Sequence, residues 1–133
     1  MDEQDKHTLV RLQIEKAHRF LRQADEMFAQ KQWDLAANRY YYACYHAVQG
    51  LFIARDLPTA KKHSGTVTQF SLHFVKTGLV DSVYGSFLAR MMQLRQKADY
   101  NCAYDVSEHD VSEFVSLSKA FIDKVESLSS SSF

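Results

Sequence analysis

Apolar residues recur at steps of three and four along most of the chain, and no alternating, strand-like run of useful length interrupts them. Val10, Ile14, Ala17, Leu21, Ala24 and Phe28 mark one stripe of a first helix, expected from about Asp5 to Gln30, with charged residues on its other side. A second helix is expected from about Asp34 to Arg55; "DLP" ends it, because Pro58 disfavours helical backbone in the residue before it. Its Ala36, Ala43, Ala47 and Gly50 form a small-residue stripe that lets another helix approach closely. A shorter third helix, about Ser64 to Thr77, presents Val67, Phe70 and Phe74, and Gly78 suits a left-handed cap at its end. The fourth, about Asp81 to Tyr100, turns Val83, Phe87, Met91, Leu94 and Ala98 inward. The fifth opens at "SEHD", with Ser107 as N-cap and Asp110 closing a capping box, and carries Val111, Phe114, Val115, Phe121, Ile122, Val125 and Leu128. The pattern predicts an all-α fold, an up-and-down bundle of four long helices plus one short helix, in which short connections make sequence neighbours antiparallel. Residues 1–128 form a single domain, followed by a disordered tail at 129–133.

Composition narrows the function. Sixteen basic residues balance sixteen acidic ones, which argues against a broad electrostatic grip on DNA, RNA or anionic lipid and leaves room for a local basic patch. Two cysteines, Cys44 and Cys102, make no disulfide framework. The polar "MDEQDKHTLV" is unlike a secretory signal, and apolar stretches such as "GLFIA" are too short to span a bilayer. A reducing, cytoplasmic setting without membrane attachment is the expectation.

The stretch "NRYYYACYH", Asn38 to His46, concentrates the candidate chemistry. Seven residues are almost two helical turns, so Arg39 and His46 share a face, with Tyr42 between them. One reading makes His46 an acid–base group and Arg39 a phosphate anchor. The plainer reading, favoured here, has them hydrogen-bonding across the bundle or a dimer interface, because tyrosines seek partial burial. Cys44 and His46 face opposite ways on a helix and make no nucleophilic pair. In "LRQKADYN", Arg95 and Asp99 can pair at i,i+4, beside the polar Gln96 and the terminal Tyr100. Lys61, Lys62 and His63 form a basic knot before the third helix, where a phosphate could bind, although a solvated loop is the commoner outcome. The six histidines show no i,i+4 pair and no HExxH motif, and no phosphate-cradling or dinucleotide glycine loop is present, so no metal or cofactor is expected.

The pieces "AANRYYYACYHAVQGLF", "KKHSG", "HFVKTGL", "LRQKADYN" and the capped helix after "VSEHD", taken in that order, resemble the HEPN domains (higher eukaryotes and prokaryotes nucleotide-binding), in the small stand-alone bacterial and archaeal branch. The resemblance covers about Trp33 to Leu128 and implies a helical bundle, often homodimeric. It also implies a link to RNA or nucleotides and a partner such as a nucleotidyltransferase in a toxin–antitoxin or stress-defence system. RNase members carry an arginine, four to six residues, then a histidine. Arg95 with Gln96 matches the arginine and its polar neighbour, but Tyr100, Asn101 and Cys102 stand where the histidine belongs. His46 is then the imidazole that could serve Arg95 if the second and fourth helices face each other. The nucleotide- or RNA-binding candidates are Arg39, Tyr42, Gln96, Asp99, Tyr100, Lys61, Lys62 and His63, and a basic rim for RNA would draw on Lys61, Lys62, Arg90, Arg95 and Lys97. A dimeric nucleotide- or RNA-associated module is the first reading, a metal-independent endoribonuclease with a divergent site the second, and a non-catalytic scaffold the third.

Overall fold

Asp2 accepts the Asp5 amide on its side chain and so caps the first helix, α1 (Glu3–Ala29). The computed structural model describes residues 2–59 and 62–130, and the described residues are helical with no strand. The other helices are α2 (Trp33–Ala54), α3 (His63–Phe70), which a π-helical turn continues over Ser71–Val75, α4 (Ser82–Tyr100), α5 (Glu108–Ser112) and α6 (Phe114–Ser130). Asp81 caps α4, and Ser107 and Asp110 exchange the two bonds of a capping box at α5. Gly78 has φ 82°, the left-handed backbone that glycine adopts without cost.

The up-and-down bundle forms as the periodicity predicts. Tyr40 reaches Asp25, His46 reaches Gln13 and Asp56 reaches Lys6, so α2 runs antiparallel to α1. Arg90 on α4 meets Glu113, while Tyr84 near the start of α4 meets Phe121, so α4 and α6 are antiparallel as well. One pair of sequence neighbours departs from the expectation. Tyr41 touches His63 at the start of α3, and Phe52 stacks on Phe74 in the π turn, so α3 runs parallel to α2. His63, the first residue of α3, thereby lies beside the middle of α2.

The small-residue stripe works as a close-packing seam. Ala36, Ala43, Ala47 and Gly50 are all buried, and a Cβ on Gly50 would lie 3.3 Å from Gln13 Cβ and from Ile14 Cδ1. The α1 stripe from Val10 to Ala24 is buried against this seam, and Lys6 extends it by a turn. Lys6 is 7% exposed and reaches out to Asp56, 3.1 Å away, which itself takes a left-handed φ of 58° just past α2. Phe52, Phe70, Phe74, Phe87, Phe121 and Ile122 fill the centre between α2, α3, α4 and α6.

Four local expectations are corrected. The third helix ends in a π turn, where Gly85 of α4 comes so close to Val75 that a Cβ there would sit 3.0 Å from Val75 Cγ2. Val83 is 45% exposed, because Val80, just before α4, takes the buried position. The fifth helix breaks at Glu113, which forks onto Arg90 at 3.1 and 3.4 Å. The last helix runs to Ser130, with Ser129 buried and bonded to the Val125 carbonyl, so residues 129 and 130 belong to the bundle. Residues 131–133 lie outside the described residues.

The seam predicts that Gly50→Val, which forces branched carbons against Ile14, destabilises the fold by about 1–3 kcal/mol in urea unfolding. An unchanged midpoint would mean that α1 does not depend on close approach at Gly50.

Candidate functional site

Each turn of α2 divides its side chains between core and surface. Tyr40 and Tyr41 are fully buried, whereas Tyr42, Tyr45 and His46 are half-buried. Tyr40 donates its phenol to Asp25 Oδ1 at 2.6 Å and serves the α1–α2 contact. Cys44 lies on the other side of α2 from His46, wholly buried against Ser118 of α6, and burial pushes its thiol up to about 12. That leaves Tyr41, Tyr42, Tyr45 and His46 as one aromatic face, to which α3 adds His63 and α4 adds Arg95.

Arg95 is the cationic centre. Its Nε donates to the Tyr42 hydroxyl at 3.1 Å, its guanidinium lies 5.7 and 5.5 Å from the Tyr41 and Tyr42 ring centres, and Nη2 is 3.6 Å from Asp99 Oδ2. Burial works against its charge, but the Tyr42 bond and the proximity of Tyr42, Asp99 and Tyr41 outweigh this and raise its pKa. Arg95 is therefore a fixed, permanently charged group with guanidinium hydrogens left for an anion.

Two imidazole rings have their centres within 6.5 Å of the Tyr42 ring. Burial holds the Tyr41 phenol above its ordinary pKa, so it stays protonated and shares a 2.6 Å hydrogen bond with His63 Nδ1; in the tautomer in which the phenol donates, the proton of the neutral ring is on Nε2. Burial and the Arg95 charge lower the His63 pKa. His63 also stacks on Tyr45 at 4.5 Å and meets Tyr42 edge-on at 5.7 Å. His46 Nδ1 donates to Gln13 Oε1 at 2.9 Å, which leaves Nε2 as an acceptor. Burial first, and then Lys16, Arg19 and His63, lower its pKa to about 4. With both rings neutral at pH 7, that tautomer gives one imidazole donor and one imidazole acceptor near Tyr42.

The candidates from sequence distribute as follows. Tyr42 lies between His46 and Arg95, 6.5 Å from the His46 ring and bonded to Arg95. His63 joins Arg95 more closely than His46 does, through both Tyr41 and Tyr42. Nothing local in the sequence signals this, because it depends on the parallel run of α3. Arg39 stands apart from Arg95, with its guanidinium 4.8 Å above the Phe20 ring of α1, and Phe20 in turn meets His46 edge-on at 5.4 Å. Gln96 is half-buried beside Arg95, Tyr100 projects into solvent at 84% exposure, and Lys62 is the exposed residue before α3. Lys61 lies outside the described residues. Arg90 and Lys97 do not join the rim: Arg90 pairs with Glu113, and Lys97 lies 4.2 Å from the Tyr104 ring centre. The cations that act on His46 are Lys16 and Arg19 of α1, which lie outside the expected rim of Lys61, Lys62, Arg90, Arg95 and Lys97.

Among the described residues, no three His, Cys, Asp or Glu side chains gather as metal ligands, and no helix is long and apolar enough to cross a membrane. A groove of about 790 Å³ lies away from Arg95, between α1 and the end of α6, where His18 bonds Glu126 at 2.6 Å.

His46 sets a pH dependence. Its folded pKa is below the unfolded value of about 6.5, so the unfolded chain takes up a proton first. The stability it contributes is complete above pH 6.5 and is lost as pH falls toward 4. An NMR titration of its ring should inflect near pH 4, and a midpoint between 6 and 7 would contradict the buried, cation-flanked geometry.

Comparison with known proteins agrees with this architecture. The HEPN domain family matches residues 10–128. A Thermotoga maritima "UPF0332 protein" is 31% identical over 93% of both chains. A Methanocaldococcus jannaschii protein named "Putative toxin MJ0605" is 31% identical over 85% of this chain and 83% of its own, and a second from the same organism, "Putative toxin MJ0142", is 26% identical over 85% and 76%. With nearly its whole bundle matched, this chain belongs to the HEPN domain family.

Proposed function

We propose that this chain is a toxin-like HEPN protein that binds RNA or a nucleotide through the Arg95 cluster. The observation that carries the reading is the bracing of Arg95: one bond to Tyr42, two tyrosine rings beside it and a partly exposed Asp99 as its sole ion-pair partner among the described residues. A phosphate can displace Asp99 without a change in the rest of the cluster. The half-buried faces of Tyr42, Tyr45 and His63 suit base stacking, which contributes about 1–3 kcal/mol per base in single-strand binders. The toxin names of two relatives favour the same setting. In this reading the protein works in the cytoplasm as a homodimer, with a nucleotidyltransferase as protein partner.

A second reading, endonucleolytic cleavage, draws on the donor–acceptor pair of imidazoles. His46 Nε2 would take the proton of a ribose 2′-hydroxyl, and the 2′-oxygen would attack phosphorus. The bond to the 5′-oxygen would break, and His63 Nε2–H would protonate that oxygen. The products are a 2′,3′-cyclic phosphate and a 5′-hydroxyl end. Binding is the preferred reading because an imidazole held near 4 is a weak base at neutral pH.

Arg95→Gln should weaken binding of a labelled oligouridylate about 10–100-fold by fluorescence anisotropy, the scale of lost charged hydrogen bonds, and Arg95→Lys should restore little of it because the planar fork is gone. An unchanged Kd would contradict the reading. Cyclic-phosphate ends, appearing in chelator and lost in His46→Gln, would select the cleavage reading over simple binding.

The exposed Leu9, Leu12 and Leu35 on α1 and α2 offer apolar area for the second subunit. Sedimentation at tens of micromolar, roughly the range that holds a modest interface, should give about twice the 15.4 kDa chain mass. A monomer there would contradict the dimer.

A further inference from the structure

Charge on this balanced protein is unevenly spread. Lys16 and Arg39 meet at one ring of α1, Phe20, and Arg19 is the residue before that ring. Lys16 Nζ is 5.7 Å and the Arg39 guanidinium 4.8 Å from the centre of the same Phe20 ring. Lys16 and Arg19 both act electrostatically on His46, whose ring meets Phe20 edge-on. None of the three cations is in an ion pair among the described residues; Arg39 donates only to the neutral Asn38 side chain, at 3.2 Å. Arg11, Arg90 and Lys119, by contrast, each have a carboxylate partner. Unpaired cations gathered around one ring are repulsive in the free protein, and an anion relieves that repulsion.

The rings between this group and Arg95 are continuous. Arg95 bonds Tyr42, Tyr42 faces His46, and His46 meets Phe20 beneath Arg39. Positive charge therefore sits at both ends of a half-buried aromatic row. A mononucleotide has its phosphate at one place and can use one end. A single strand has phosphates at intervals with bases between them, and it can use both ends and the row. Duplexes keep their bases stacked inside and cannot use the row.

The geometry points to an extended single-stranded nucleic acid as the ligand class, with one phosphate at Arg95 and further phosphates at Lys16, Arg19 and Arg39. This inference rests on the Arg95 reading and adds to it the length and path of the strand. Each phosphate contact on a single strand contributes about 0.7 to the slope of log K against log salt.

The test uses the full chain and oligouridylates of one to twelve nucleotides, with oligodeoxythymidylates alongside to separate RNA from DNA. In the wild-type protein, affinity should rise at least tenfold between two and eight nucleotides. In the combined variant Lys16→Gln, Arg19→Gln, Arg39→Gln this gain should collapse, and the salt slope for the long strand should fall by about 2, the sum over three contacts. Removing Lys119 and Lys124 of α6 controls for generic loss of charge and should leave the length gain in place. Circular dichroism checks that the variant is folded, and Arg39→Gln alone, which should lose part of the gain, serves if the combined variant is not. Equal affinity at all lengths, abolished by Arg95→Ala, would overturn the strand path while leaving the Arg95 site standing. No binding at any length would take both readings down. Loss of self-association with an unchanged length gain would make this face a protein interface and overturn the inference.

Discussion

The close contact of α1 with α2 at Gly50 is the constraint from which the rest of the molecule follows. It brings two backbones together over a seam of alanines and one glycine, and it fixes the register of the antiparallel pair. With that register set, Asp25 faces Tyr40, Phe20 faces Arg39 and His46, and Gln13 faces the inner nitrogen of His46. The polar residues of α2 are thereby oriented from the α1 side before any ligand arrives. The opposite side of α2 is fixed by Phe52 on Phe74 and by Cys44 on Ser118. Between these two buried edges the helix has one strip left, and that strip carries Tyr42, Tyr45 and His46.

What α3 and α4 bring to the strip decides its chemistry. The parallel return of α3 sets His63 on the Tyr41 phenol, and the last turns of α4 set Arg95 across Tyr42. Burial suppresses proton exchange in both: Tyr41 and Tyr45 are held protonated, and His46 and His63 are held neutral. The cation retained near the centre is arginine, the side chain least able to give up its proton. On the proposed reading, the cluster holds an anion among aromatic rings, and proton transfer is its lesser capability.

Features that depend on neighbours along the helix were legible in the sequence. The α1 stripe, the small-residue seam, the Ser107–Asp110 box and the glycine turn at Gly78 are all of this kind. The contact between Tyr42 and Arg95 follows once the two helices carrying them face each other. Features set by distant packing were not legible. Lys6 reads as a surface lysine until Asp56 is found across the bundle, and Val83 reads as core until Val80 takes its place. His63 reads as part of a loop knot, because no periodicity reports that α3 runs beside α2. Lys16 and Arg19 read as the solvated side of an amphipathic helix, and they gain meaning only where α2 lays Arg39 and His46 beside them.

The central claim, that the Arg95 cluster is where the ligand binds, is tested most directly by NMR mapping of the labelled protein titrated with a short single-stranded RNA. The account predicts that the Arg95 Nε–H signal and the rings of Tyr42, Tyr45 and His63 shift first and most, with His7 and His18 in the α1–α6 groove unmoved. Shifts concentrated in that groove, with Arg95 silent, would contradict it.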